Sequence, residues 1–375
     1  MSVTSYKAAL IGCGRIGFTL GFDKKREQPA SHTMALNDNQ RINLIAGCDT
    51  DAVALNAWHE SNKRALTYRE SANLYARQKL DIITIAVNEE AHLKEAEAAI
   101  CSQPRLVILE KPVALSVEEA LKIKKCAEEY QVPVMVNHER RFAEDYILAK
   151  SYLPEIGELQ SIRAALHSGM CVYSAEKEAT GSYSLIHDGT HLVDAVLFFL
   201  EADKASDVEE VQVFKAGKTS GAGLLNRASG CAVETKTVSS ILKNPLITGL
   251  YHDEKGNVRQ LSAHYSTEKC PDVEISISGR SKFFGFEIEI TGTKGKICIG
   301  NGDLRFYKSE KSSLYSGFYS LVPDKSMKSP KKTLYFANMV QNAVDFLDGR
   351  AELKSTLQNG INALAVLEEI REKLK

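Results

Sequence analysis

The first 136 residues repeat one pattern: a short run of apolar residues, then a stretch with helical spacing. The apolar runs are Ala8–Ile11, Ile42–Cys48, Ile82–Val87, Leu106–Leu109 and Val134–Val136. None alternates with polar residues, so each predicts a strand covered on both faces. The stretches between them, such as 91–100 and 117–130, are amphipathic at three- and four-residue spacing. Ser116-Val-Glu-Glu119 has the capping-box pattern that starts a helix. Strands of this kind separated by helices form a parallel sheet with helices on both sides.

Later segments change period. Val273, Ile275 and Ile277 alternate with Glu274 and Ser276, and Phe286, Ile288 and Ile290 with Glu287 and Glu289. Period-two alternation predicts strands with one wet face, hence a largely antiparallel sheet. Thr293-Lys-Gly295 reads as the turn between two of them. Residues 308–332, rich in Ser, Lys and Tyr, read as a long loop, and 336–347 and 360–374 as returning helices. The expected fold class is an α/β Rossmann dinucleotide-binding domain, residues 1–140, plus an α+β domain with a large, mostly antiparallel open sheet, residues 141–375.

Composition narrows the class. Forty-seven Lys and Arg against 48 Asp and Glu leave a net charge of −1, which supplies no bulk attraction to nucleic acid or an anionic membrane. Neither is expected as a partner. The eight cysteines are scattered without a CxxC pair, the pattern of free thiols in a reducing compartment. The N-terminus has no charged segment followed by a long apolar run, so a signal peptide is not expected and the cytoplasm is.

Gly12-Cys-Gly14-Arg15-Ile16-Gly17 follows the first strand and should open a helix. Gly12 permits the tight turn, Gly14 lets backbone approach a pyrophosphate, and Gly17 allows close helix–strand packing. A glycine-rich turn in another α/β protein, including one that binds adenosylmethionine, would look the same. Asp49, ending the second run, is placed to accept hydrogen bonds from the adenine ribose. It comes later than the usual spacing because a polar segment, residues 18–30, intervenes. An acid there favours NAD over NADP, although a basic residue from elsewhere would admit the 2′-phosphate. Glu110-Lys111-Pro112 ends a strand at the edge where ligands of such sheets bind, where a lysine is well placed for proton transfer, although a lone Lys-Pro by itself is usually just a turn. His187, His191 and Asp194 fall at i, i+4 and i+7, on one helical face. Two histidines one turn apart also suit zinc, but no glutamate follows His187 as in zinc proteases, and no metal is expected.

These motifs together, with His187-Asp-Gly-Thr-His191-Leu-Val-Asp194, Asn137-His-Glu-Arg-Arg-Phe142, Ile156-Gly-Glu158 and Gly292-Thr-Lys-Gly295, resemble the glucose–fructose oxidoreductase, inositol dehydrogenase and rhizopine-catabolism family (Gfo/Idh/MocA) along most of the chain. The resemblance implies an NAD(P)-dependent oxidoreductase that transfers a hydride to or from a hydroxyl or carbonyl carbon of a sugar, cyclitol or nucleotide-sugar. It implies Lys111 as proton donor or acceptor, and His191 on the same oxygen. Relatives often carry Asp-x-Gly-x-His, which would put the acid at position 187; here that residue is His187 and the acid is Asp188. Both are expected to line the pocket. Relatives also read Ala-Thr-Pro-Asn-x-x-His where this chain has Ala86-Val-Asn88-Glu-Glu-Ala-His92. Asn88, His92 and Glu110 join Gly12, Gly14, Arg15, Ile16, Gly17 and Asp49 as expected cofactor contacts. Asn137, Arg141 and His32 are expected substrate contacts, and Arg140 a second cation for a carboxylate or phosphate. A small polyhydroxylated substrate and a homodimer or homotetramer complete the expectation. The alternatives are a non-catalytic dinucleotide-sensing regulator of the same fold, or a reductase of a non-sugar substrate.

Overall fold

The computed structural model describes residues 5–174, 185–201 and 241–374; the side chains of 185–187 lie outside that description. Six strands form an all-parallel sheet: β1 (Tyr6–Ile11), β2 (Ile42–Cys48), β3 (Leu66–Tyr68), β4 (Ile82–Ile85), β5 (Leu106–Leu109) and β6 (Val134–Val136). Their spatial order is β3-β2-β1-β4-β5-β6, so the chain reverses direction across the sheet between β1 and β4. That reversal opens a crevice at the carboxyl ends of the strands. The short edge strand β3 carries no apolar run of its own, which is why the apolar pattern shows only five of the six.

Helices cover both faces. Among them are α1 (His32–Asp38), α2 (Ala52–Ser61), α3 (Ser71–Arg77), α4 (His92–Cys101) and α5 (Val117–Tyr130). At the start of α5, Ser116 accepts from the Glu119 N–H, while Glu119 reaches back to the Leu115 N–H. The cap is therefore reciprocal but one residue wider than the capping box.

The glycine-rich turn does not open a continuous helix, contrary to expectation. Residues 14–18 make one helical turn, a short 3₁₀ segment follows at Thr19–Phe22, and the chain departs. It returns at Ser31, whose side chain caps α1 by accepting from the Met34 N–H. The His32 and Thr33 N–H groups then bond to the Ile16 and Gly17 carbonyls, at 3.1 and 2.9 Å. The excursion is thus inserted into the helix that follows the glycine turn, and the ladder resumes where it broke off. Polar DKKREQP cannot pack on the sheet, so it loops out and leaves the helix register intact.

After β6 the chain passes through a 3₁₀ turn (Glu139–Phe142) and α6 (Glu144–Ser151) into the second sheet. Its strands are β7 (Leu159–His167), β8 (Leu246–His252), β9 (Val258–Tyr265), β10 (Val273–Ser278), β11 (Gly285–Gly292), β12 (Gly295–Gly300), β13 (Asp303–Lys311) and β14 (Tyr319–Pro323). Their order is β14-β13-β12-β11-β7-β10-β9-β8, antiparallel except for β7 beside β10. Thr293 and Lys294 make the expected turn between β11 and β12. Residues 308–332 are not a simple loop: β13 and β14 form a hairpin that extends the sheet, with Ser, Lys and Pro suited to an exposed edge. One face packs on α6 and α7 (Leu185–Leu200), and the other carries the polar alternates.

The last two helices, α8 (Tyr335–Leu347) and α9 (Leu357–Glu372), return to the first sheet. Phe336, Met339 and Val340 of α8 join the core with Tyr6 and Leu36. Along α9, Leu357, Ile361 and Leu364 enter the first sheet's core, while Ala363, Val366 and Ile370 enter the second's. Gly360 makes this possible, since a Cβ there would lie 2.2 Å from a Val113 methyl.

Candidate active site

The crevice is built on two sides. On the first, Gly12 sits at φ +95°, and a Cβ would lie 2.4 Å from the Ala86 carbonyl oxygen. A Cβ on Gly17 would strike the Gly12 carbonyl oxygen at 2.0 Å. A Cβ on Gly14 would meet nothing within 4 Å. Gly12 and Gly17 are therefore required by the protein's own packing, whereas Gly14 faces open space. No described residue accepts from the N–H groups of Gly14, Arg15 or Ile16. Free N–H groups at the start of a helical turn form a cradle for an anion, which fits a pyrophosphate. Arg15 is exposed beside them and Ile16 half-buried.

Asp49, half-buried beyond β2, accepts from the Cys13 N–H at 2.7 Å through one oxygen and from the Asp51 N–H at 2.8 Å through the other. Each oxygen keeps a lone pair for a ribose hydroxyl. Arg69 donates to the neighbouring Thr50 carbonyl, placing a cation beside the acid. It arrives from the loop after β3, a strand without a sequence signature, so it was not anticipated. Asn88 is exposed at the third corner of the crevice. His92, 1% exposed, donates from Nδ1 to the Pro112 carbonyl at 2.7 Å, with Nε2 facing the Val87 carbonyl at 3.2 Å. It therefore ties together the two loops that flank the crevice floor.

On the second side, Glu110 is buried beneath Lys111. Its Oε1 accepts from His32 Nε2 and Asn137 Nδ2, both at 2.6 Å, and Oε2 accepts from the Lys111 N–H at 3.1 Å. Burial alone would raise its pKa, but the bonds from His32 and Asn137 and the charge of Lys111 overcome this and hold it at about 2. Glu110 and His32, expected at the cofactor and the substrate, are thus partners of each other. Lys111 Nζ lies 3.7 Å from Asp188 Oδ1 on α7, and both side chains keep some exposure, 18% and 30%. The structure therefore brings together Lys111 and the displaced acid. The backbone of His187 is in the first turn of α7, and its side chain lies outside the described residues.

His191 lies one turn further along α7. Burial, then the positive charges of Lys111 and Arg140, drive its pKa well below 6.5, so its imidazole is neutral. His191 Nδ1, Asn137 Oδ1 and both ring nitrogens of His138 are buried with no hydrogen-bond partner among the described residues. Unsatisfied buried polar atoms are costly unless something completes them, and these cluster where the β5 and β6 ends meet α7. His138 was missed in the sequence. It is 1% exposed, 3.8 Å from Asp194, and burial pushes its pKa down. Nothing in the local pattern marks it as interior.

The two consecutive arginines part ways. Arg140 lays its guanidinium over the Phe286 ring, 3.7 Å from the centroid, and donates to Glu139 at 3.0 Å. Arg141, 2% exposed, has its guanidinium committed to protein carboxylates. Nε donates to both Asp194 oxygens at 2.8 and 2.9 Å, and the two terminal nitrogens form a bidentate pair with Glu201 at 2.8 Å. Asn359 of α9 also donates to Glu201. Arg141 therefore pins α7 and α9 to the turn after β6, and Asp194 is its counter-ion. Among the described residues, no group of three or more His, Cys, Asp or Glu is arranged to hold a metal, and no helix is long and apolar enough to cross a membrane.

Comparison with known proteins agrees with this architecture. Residues 6–138 match the model of the oxidoreductase family with an NAD-binding Rossmann fold, GFO_IDH_MocA. The chain is similar to D-apiose dehydrogenase of Rhizobium rhizogenes, 24% identical over 308 residues, covering 79% of this chain and 78% of that protein. Its fold matches the WlbA dehydrogenase of Bordetella pertussis, solved with NADH and UDP-GlcNAcA (TM-score 0.70, 15% identity, 100% and 96% of the two chains). It also matches an Agrobacterium radiobacter oxidoreductase solved with NAD+, L-tartaric acid and magnesium (TM-score 0.68, 18% identity, 97% and 95%). Residues 6–138, with their parallel sheet and glycine cradle, thus match the NAD-binding Rossmann domain of the Gfo/Idh/MocA oxidoreductases, and the chain as a whole, second sheet included, shares the fold of these solved oxidoreductases.

Proposed function

We propose that the protein is a dehydrogenase or reductase that interconverts a hydroxyl and a carbonyl on a small polyhydroxylated substrate: a sugar, cyclitol or nucleotide-sugar. The observation that carries this is the pairing of Lys111 and Asp188 beside a neutral, half-buried His191 at the crevice. The bound nicotinamide supplies hydride transfer to or from the reacting carbon. Lys111 Nζ manages the proton of the oxygen on that carbon, taking it in oxidation and giving it back in reduction. Asp188 holds the Lys111 side chain toward the crevice. His191, being neutral, hydrogen-bonds the same oxygen without adding a second cation. Asn137 and His138 offer the unsatisfied polar atoms that hydroxyl groups would complete. Gly14, Arg15 and Ile16 would hold the pyrophosphate, and Asp49 the adenine ribose. The similarity to D-apiose dehydrogenase supports the substrate class.

A panel of sugars, cyclitols and nucleotide-sugars, followed by absorbance of the reduced cofactor with NAD and NADP separately, tests this reading. Turnover with at least one polyol is expected, with NAD preferred. Tight dinucleotide binding without turnover on any member would favour the sensing regulator. The uncovered face of the second sheet is the surface we assign to self-association, and sedimentation velocity checks it.

A further inference from the structure

Lys111 is gripped on both sides by a buried imidazole. On the N-terminal side, fully buried His32 donates from Nε2 to Glu110 Oε1 at 2.6 Å, and Glu110 Oε2 accepts from the Lys111 N–H. On the C-terminal side, His92 donates from Nδ1 to the Pro112 carbonyl at 2.7 Å. Each imidazole is anchored in a cofactor-side element. The His32 N–H continues the helical turn begun by Ile16, and its ring packs edge-on against Phe336 at 5.1 Å. His92 opens α4, directly after the loop beyond β4, and faces the Val87 carbonyl of that loop.

We propose that His32 and His92 are positioning residues: each links one neighbour of Lys111 to a loop of the dinucleotide crevice, and together they set where the Lys111 amine stands relative to the cofactor. This rests on the reading of Lys111 as the proton-transfer group. The two clamps use different ring nitrogens, and that gives them an atomic signature. Glutamine at position 32 puts its amide nitrogen near the place of Nε2 and can still donate to Glu110; asparagine cannot reach. At position 92 the preference reverses, because asparagine reproduces Nδ1. A role in packing alone would make no such distinction, and phenylalanine would serve it equally well at both positions.

The test uses H32Q, H32N, H32F, H92N, H92Q and H92F in the full chain. Three measurements are made on each: kcat, dinucleotide Kd by fluorescence, and the acetylation rate of Lys111 by peptide mass spectrometry, with exposed Lys63 as internal reference. Because proton transfer needs the amine within hydrogen-bond reach, H32N, H32F, H92Q and H92F should lose about tenfold or more in kcat. In the same variants Lys111 acetylation should rise about threefold or more relative to Lys63, as the loosened loop opens. H32Q and H92N should stay within about twofold of the parent on all three measures, and Kd should hold within about twofold throughout. Equal behaviour of Gln and Asn at each position, or unchanged acetylation in all six variants, overturns the proposal. Acetylation does not depend on turnover. A crossed acetylation pattern without turnover on any substrate upholds the clamp and sinks the dehydrogenase reading. Turnover without the crossed pattern does the opposite.

Discussion

The two sides of the crevice are made of different material. The cofactor side is backbone: glycines that admit close approach, unshared N–H groups and one strand-end acid. The side to which we assign proton transfer is side chains: Glu110, Lys111, Asp188, Asp194, Arg141 and three histidines, most of them buried and satisfied chiefly by one another. Backbone geometry tolerates little change but is local. Buried charge depends on partners far away in sequence, as where Arg141 meets Asp194, Glu201 and, through Glu201, Asn359. Substitutions on the two sides should therefore fail in different ways.

The largest stability effect is expected at Arg141. Removing it as R141L leaves Asp194, 1% exposed, without its counter-ion. That should cost about 3–5 kcal/mol in urea unfolding, the range for breaking a buried pair from one end. A loss below about 1 kcal/mol would mean that the pair is hydrated and the clamp idle.

The glycines should separate folding from binding. In G12A the new Cβ meets the Ala86 carbonyl at 2.4 Å on a backbone with φ +95°, so stability should fall by about 2 kcal/mol or more. In G14A no atom of the described residues is there to meet, so the melting temperature should hold while dinucleotide affinity drops about tenfold, measured by fluorescence titration. If G14A binds as tightly as the parent, the cradle has been placed on the wrong side of the turn.

Cofactor choice should shift less. D49N keeps an acceptor for the Cys13 N–H but removes the charge that repels a 2′-phosphate, with Arg69 alongside. The ratio of kcat/KM for NAD to that for NADP should fall about tenfold, the scale of one charge contact in a partly exposed site. R69A should lower NADP use without touching NAD.

The smallest effect to resolve is the pH dependence of stability. The folded pKa of Glu110 is depressed from 4.5 to about 2, so its contribution is fully present above 4.5 and is lost as pH falls toward 2. His191 and His138 are depressed below 6.5. In the window below 6.5 the unfolded chain binds their protons and the folded chain does not, so stability also declines there as pH falls. Urea midpoints should fall in two stages on acidification, and E110Q should shrink the lower stage, which Asp324 and Asp348 share, while leaving the upper one in place.

The contrast also explains how much of the molecule is legible in its sequence. The glycine turn, Asp49, the strand ends and the position of Lys111 follow from local patterns, because a doubly wound sheet sends its ligand to one edge. The second sheet was readable from period-two alternation. Three things were not. The break in the helix after Gly17 was hidden because a polar insertion leaves no sign that the ladder resumes at His32. His32 and Glu110 were assigned to ligands because two polar residues 78 positions apart give no hint that they meet. Arg141 read as a substrate contact because a lone arginine looks the same whether it faces a carboxylate of the protein or of a ligand.

The division between the two sides stands or falls most directly on K111A. Initial rates on the preferred polyol and dinucleotide Kd by fluorescence titration should be measured on the same preparation. Turnover should fall about a hundredfold or more while Kd stays within about twofold, since the proposal gives the amine to proton transfer and not to the cradle. Unchanged turnover, or affinity lost in step with rate, would contradict the account.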